Sequence, residues 1–125
     1  MKNKKTALRG RRESFRYAFN GLCQLFRNEP NARIHAVAGA LVLIAGCYFD
    51  IEKSEWLAVI LCIGIVLTTE IINTAIENIC DYISPDYHER IKIIKDLAAA
   101  AVLVSAVISA IIAAFVFIPR LIALF

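Results

Sequence analysis

The sequence predicts an all-α integral membrane subunit, with three membrane-spanning helices preceded by an amphipathic surface helix. Three observations carry that reading. Of 125 residues, 59% are hydrophobic and the mean hydropathy is +0.64, more apolar than a chain that must present a polar surface to water. Three apolar runs, at about 34–49, 56–79 and 97–117, each come near the ~20 residues a helix needs to cross the hydrocarbon core. Nine of the fourteen basic residues fall between Lys2 and Arg33, the asymmetry that keeps a flanking segment on the cytoplasmic side. At this length residues 1–125 read as one domain, so any chemistry must sit on the helices or their short connections.

Taken in order, the first element spans about residues 11–27. Phe15, Ala18, Phe19, Leu22, Cys23, Leu25 and Phe26 recur at three- and four-residue steps, with Arg16, Asn20, Gln24 and Arg27 between them. That periodicity predicts an amphipathic helix lying on the membrane surface or packed against its own spans. The basic cluster Lys2, Lys4, Lys5, Arg9, Arg11, Arg12, Arg16, Arg27 and Arg33 suits anionic headgroups, and embedding of the remaining chain argues against a nucleic-acid partner. No small-residue cleavage pattern precedes the first apolar run, so the first span is expected to stay in the mature protein.

The first span is the shortest and needs residues near Ala32 or Tyr48 to reach both surfaces. Asp50-Ile-Glu-Lys-Ser-Glu55 carries one cation against three acids and reads as an outer loop, with Ser54 as a plausible cap for the second span. Ser84-Pro85-Asp86 should break the second helix, because proline lacks a donor and restrains its predecessor. Arg90, Lys92 and Lys95 then make this connection cytoplasmic, and an amphipathic turn should lead into the third span. Pro119 is expected to end that span. Cys23, Cys47, Cys62 and Cys80 form no CxxC pair and read as small packing residues.

The second span departs from what a lipid-facing helix would choose. Within Thr68-Thr-Glu-Ile-Ile-Asn-Thr-Ala-Ile-Glu-Asn-Ile-Cys-Asp81, Glu70, Asn73, Glu77 and Asp81 fall within about 80° of one another at 100° per residue. Ionisable groups inside a span are costly and are functional candidates by default. The bland alternative is that Glu77 and Asp81 solvate a helix end while Glu70 and Asn73 bond a neighbouring helix. Asn28-Glu29 and Lys95-Asp96 would meet the stripe at the cytoplasmic face. Carboxylates for a metal, a lysine for phosphates and a carboxylate able to take a proton are the parts a magnesium-nucleotide site needs. The chain has no GxxxxGK[ST] and no GxGxxG loop. Residue chemistry alone therefore stops at a metal or cation site in a helical bundle.

Glu70-Ile-Ile-Asn-Thr-Ala-Ile-Glu77, then Asp81, then Lys95-Asp96-Leu-Ala-Ala-Ala-Ala-Val102 resembles the prokaryotic diacylglycerol kinase family, which includes the undecaprenol kinases. The likeness runs from about Ser14 to Phe117. It implies a homotrimer of three-span subunits with shared active sites, ATP and Mg2+ at the cytoplasmic surface, and a lipid alcohol entering from the bilayer. Carried over by residue, Glu70 matches the general base, and Glu29 and Glu77 match the carboxylates that hold Mg2+ on the ATP phosphates. Asn73 would steady them, Lys95 would contact phosphate oxygens and Asp96 would bind the nucleotide. Tyr17, Asp86 and His88 fall where members contact adenosine. Asn31, His35 and Ala99 correspond to supporting or lipid-binding positions.

The chain also departs from the family pattern. Gly10 stands where some members have an arginine, although Arg9 and Arg11 flank it. His35 stands where diacylglycerol-type members tend to have an acid, and Asn31-Ala-Arg-Ile-His35 looks more like the undecaprenol branch. A histidine at the headgroups is the plain reading of His35. Ala98 and Ala99 replace a glycine and a serine. The resemblance implies ATP-dependent phosphorylation of a lipid alcohol in the bacterial inner membrane with the N-terminus cytoplasmic, diacylglycerol ahead of undecaprenol. From another class, a small ion-coupled transporter subunit also uses an intramembrane glutamate, and a noncatalytic scaffold is a third reading. Glu29 and the Lys95-Asp96 pair favour the kinase, because a proton-coupled transporter has no need of a phosphate-binding assembly.

Overall fold

The computed structural model describes residues 4–125, and of Lys4 and Lys5 the backbone alone; Lys2 lies outside the described residues. Four helices follow one another, α1 (Lys4–Asn28), α2 (Pro30–Phe49), α3 (Lys53–Ile83) and α4 (Glu89–Ala123), with no strand among the described residues. The last three are long and apolar enough to cross a membrane. Leu41, Leu61, Leu103 and Phe115 are each more than 60% exposed, a surface that hydrocarbon tails solvate and water does not.

A single residue separates α1 from α2. Pro30 forces Glu29 out of the helical region (φ −109°, ψ 106°) and itself serves as the first residue of α2, where its missing N–H costs nothing. The Glu29 N–H still donates to Leu25 O at 2.9 Å. Arg33 locks the corner, its Nε donating to Phe26 O at 2.7 Å and its Nη2 to Arg27 O. These are terminal carbonyls of α1 that a helix leaves without partners. Pro30 and Arg33 thereby hold the Glu29 carboxylate at the α1–α2 junction.

At the opposite end, Asp50 closes α2 in the left-handed region (φ 48°), a conformation that aspartate tolerates better than most residues. The Ile51 N–H reaches Gly46 O at 3.2 Å. A Cβ on Gly46 would stand 2.7 Å from the Trp56 ring, so only glycine lets the indole close over this turn. Glu52, not Ser54, caps α3, and its N–H donates to Glu55 Oε2 at 2.9 Å. Glu55 in turn takes a bidentate pair from Arg120, Nη1 to Oε1 at 2.9 Å and Nη2 to Oε2 at 2.7 Å. An apolar cluster of Ile51, Val59, Val116 and Phe117 lies beneath it.

The helices overrun the apolar runs that announce them. α3 has 31 residues, about 46 Å at 1.5 Å per residue, against a hydrocarbon core of ~30 Å. α3 is thus longer than the core is thick, and Glu77 and Asp81 lie on its last two turns. Ile83 ends α3 before Ser84-Pro85, as expected, and α4 begins at Glu89 and continues without a separate turn. Pro119 does not end α4, which runs on to Ala123. Near a helix end the loss is a single backbone bond, and Arg120 Nη1 donates to Val116 O at 2.6 Å there. Cys80 is buried and Cys62 half-buried, whereas Cys23 and Cys47 are exposed and do not pack inside the subunit.

Candidate active site

The polar stripe of α3 splits by depth. Glu70 (3% exposed) and Asn73 (9%) are buried, Glu77 is intermediate, and Asp81 is exposed. The sequence periodicity placed these four on one side of the helix, and the fold turns the inner pair towards neighbouring helices.

From α2, His35 approaches Glu70, with Nε2 3.2 Å from Oε1. Glu29 at the α1–α2 corner and Glu77, nearly two turns along α3, both stand within electrostatic range of Glu70. Asn73 Nδ2 donates to Glu77 Oε1 at 3.4 Å, which leaves Asn73 Oδ1 buried without a partner, as is Thr74 Oγ1. Unpartnered buried polar atoms are unusual in a folded chain, and Asn73 Oδ1, beside the Glu77 carboxylate, suits an incoming donor or cation. A cavity of about 570 Å³ opens between α1 and α3 beside Thr74, lined in part by Gln24, Asn28, Glu29 and Asn78, whereas Asn73 lines a separate depression between α3 and α4.

A second group forms where α3 hands over to α4. Lys95 Nζ lies 2.6 Å from Asp81 Oδ1, and Lys92 Nζ lies 2.5 Å from Asp96 Oδ2. His88 caps α4, accepting from the Arg90 N–H at 3.2 Å through Nδ1. Asp86, His88, Lys92 and Lys95 border a depression of about 320 Å³. Glu77 lies within electrostatic range of Lys95 as well as of Glu70, so this one carboxylate links both groups.

Of the residues marked from sequence, Glu29, His35, Glu70, Asn73 and Glu77 come together on one side, and Asp81, Asp86, His88, Lys95 and Asp96 on the other. Tyr17 is 66% exposed on α1, and Asn31 and Ala99 are exposed, outside both groups. No three of His, Cys, Asp and Glu cluster closely enough to hold a metal ion by themselves among the described residues. The oxygen donors do fit a hard dication that keeps one or two protein carboxylates and fills its remaining positions with phosphate and water.

Sequence reasoning missed Arg33 and Thr74. Arg33 was counted with the headgroup-facing cations, yet it follows a helix end by a few residues, a spacing that favours carbonyl capping. Thr74 carries no signal beyond its position beside Asn73.

The model of the family described as prokaryotic diacylglycerol kinase matches residues 16–117. An undecaprenol kinase of Bacillus subtilis (strain 168) is 41% identical over 109 residues, covering 87% of this chain and 89% of that protein. A diacylglycerol kinase of Synechocystis is 36% identical over 112 residues, 89% of this chain and 64% of the relative. The diacylglycerol kinase of Escherichia coli (strain K12) is 33% identical over 95 residues, 76% and 78% of the two chains. Matched along most of its length, from α1 to the C-terminal half of α4, the chain belongs to the prokaryotic diacylglycerol kinase family.

Proposed function

We propose that this chain is a lipid kinase that transfers the γ-phosphoryl group of ATP to the hydroxyl of a membrane lipid alcohol, converting diacylglycerol to phosphatidic acid. The observation that carries the reading is the buried Glu70 carboxylate, set in a spanning helix with Glu29, Glu77 and His35 around it. A lipid hydroxyl is a weak nucleophile until its proton leaves. Glu70 accepts that proton as the lipid oxygen bonds the γ-phosphorus and the bond from phosphorus to the ADP oxygen breaks.

Glu29 and Glu77 are the carboxylates that would hold Mg2+, with Asn73 steadying Glu77, and the metal would supply positive charge to neutralise the phosphate oxygens. Lys95 exchanges its Asp81 partner for phosphate oxygens, and Asp96 binds the nucleotide. Tyr17, Asp86 and His88 face the adenosine part, and Asn31, His35 and Ala99 border the lipid. Tyr17 stands apart from the α3–α4 group within one subunit, which supports sites shared between neighbouring subunits, in the homotrimer that the family resemblance implies. A second acceptor, undecaprenol, is favoured by the relative at 41% identity and by the Asn31-to-His35 segment.

The test is direct: purified protein is incubated with labelled ATP, magnesium and each lipid alcohol in turn. Label should appear in diacylglycerol, or in undecaprenol if the second reading holds. No transfer to either, in a preparation that binds ATP, would return an ion-coupled transporter to first place.

The same proposal sets the chain in the bacterial inner membrane with its N-terminus inside. On α1, exposed Phe15 and Phe19 beside Arg12 and Arg16 support a helix lying among anionic headgroups. In a variant lacking the four native cysteines, Ser54→Cys should label from outside and Ser84→Cys only after permeabilisation. Equal labelling from outside would overturn the three-span topology.

A further inference from the structure

The Glu70 carboxylate has one basic neighbour. Among the described residues, no other Lys, Arg or His nitrogen lies within 4.0 Å of it besides His35 Nε2, 3.2 Å from Oε1, with side chains 24% and 4% exposed. The neighbouring polar groups on α3 make no hydrogen bond to Glu70, Thr74 Oγ1 being without a partner among the described residues. Thr69 Oγ1 donates to Val66 O and shares a bond with Ser105 Oγ, and Asn73 Nδ2 goes to Glu77. Backbone N–H groups inside a helix are already committed to the helix.

We infer that His35 is a positioning residue for phosphoryl transfer: its Nε2–H holds Glu70 Oε1, so that the carboxylate keeps one orientation and presents its other oxygen to the acceptor hydroxyl. This rests on Glu70 being the proton acceptor. An unheld glutamate samples several rotamers about its flexible stem, and a proton acceptor must stand within hydrogen-bond reach of its proton at the moment of transfer. Histidine suits the task because its ring is short and stiff and a ring N–H is a good donor.

The contact is also made between rigid elements. A Cβ on Gly39 would meet the Ile63 side chain at 3.4 Å, so α2 and α3 run close together one turn beyond His35. On the other side of His35, Ala32 is 0% exposed. The imidazole is thus fixed in height against α3, which a longer, mobile lysine would not be.

The experiment measures kcat and the KM for ATP for His35→Leu, His35→Gln and His35→Asn, each in the wild-type and the Glu70→Gln background. His35→Leu should lower kcat by about 10- to 100-fold with little change in KM, because the nucleotide groups are untouched. His35→Gln should recover most of the loss, since its amide N–H reaches the same oxygen. His35→Asn, one methylene shorter, should not, and the contrast between these two amides holds even if His35→Leu inserts poorly. In the Glu70→Gln background none of the three should cost more, as no carboxylate is left to aim. Wild-type kcat in both His35→Leu and His35→Asn, or an undiminished loss in the Glu70→Gln background, would overturn the role. Full turnover in Glu70→Gln alone would instead sink the Glu70 reading, so the two failures are distinct.

Discussion

Glu70→Gln is expected to lower turnover by roughly 10²- to 10⁴-fold, the usual contribution of a general base, while ATP binding stays nearly intact. Glutamine keeps the length and one acceptor oxygen of the side chain, so the contact facing His35 can persist and α3 should keep its place. What it cannot do is accept the hydroxyl proton. Glu70 is buried at 3% exposure and paired with a histidine rather than with the lysines of the α3–α4 turn. Its loss should therefore appear in kcat, measured with labelled ATP at saturating lipid, and scarcely in nucleotide affinity, measured by equilibrium binding. Loss of affinity that added magnesium restores would make Glu70 a ligand. Full turnover at normal affinity would leave the chain a family member in fold alone.

The spans were legible because a bilayer imposes one rule, a long apolar run, and each run lies within one helix of the structure. Helix ends were less legible, since apolarity says where the hydrocarbon stops and not where hydrogen bonding stops. α3 and α4 therefore extend through polar residues such as Lys53 and Glu89. Pro119 misled for a related reason, because near a helix end neighbouring contacts can hold the backbone past a proline. Within α3, the 3.6-residue repeat put Glu70, Asn73 and Glu77 together without any knowledge of the fold. Partners from other helices were a different matter. The approach of His35 to Glu70 and of Lys95 to Asp81 depends on how α2 and α4 lie against α3, and no helical spacing rule reaches from one helix to the next. Glu29 was singled out from its place just ahead of the first span and its ligand role from family resemblance, and Pro30 with Arg33 supplies the physical reason that it stands at this corner.

Glu77→Gln should behave unlike Glu70→Gln: it should weaken magnesium-ATP binding as well as turnover, and raised magnesium should restore part of both. A hard dication prefers anionic oxygen, and the amide removes the charge while keeping an acceptor for Asn73 Nδ2, so local packing has little reason to change. Position argues for the same split. Glu77 is only partly buried, farther out along α3 than Glu70, and within electrostatic range of Lys95. It can therefore serve the phosphates and the metal together, in the ground state and the transition state alike, which is the pattern that raises KM and lowers kcat at once. Glu29→Gln should follow Glu77→Gln and not Glu70→Gln, because the α1–α2 corner brings it to the cluster from the cavity side. A magnesium titration of activity at fixed ATP reads both variants. If either keeps wild-type activity at low magnesium, that carboxylate is not a ligand, and Glu77 would be left as a spacer between Asn73 and the headgroup boundary.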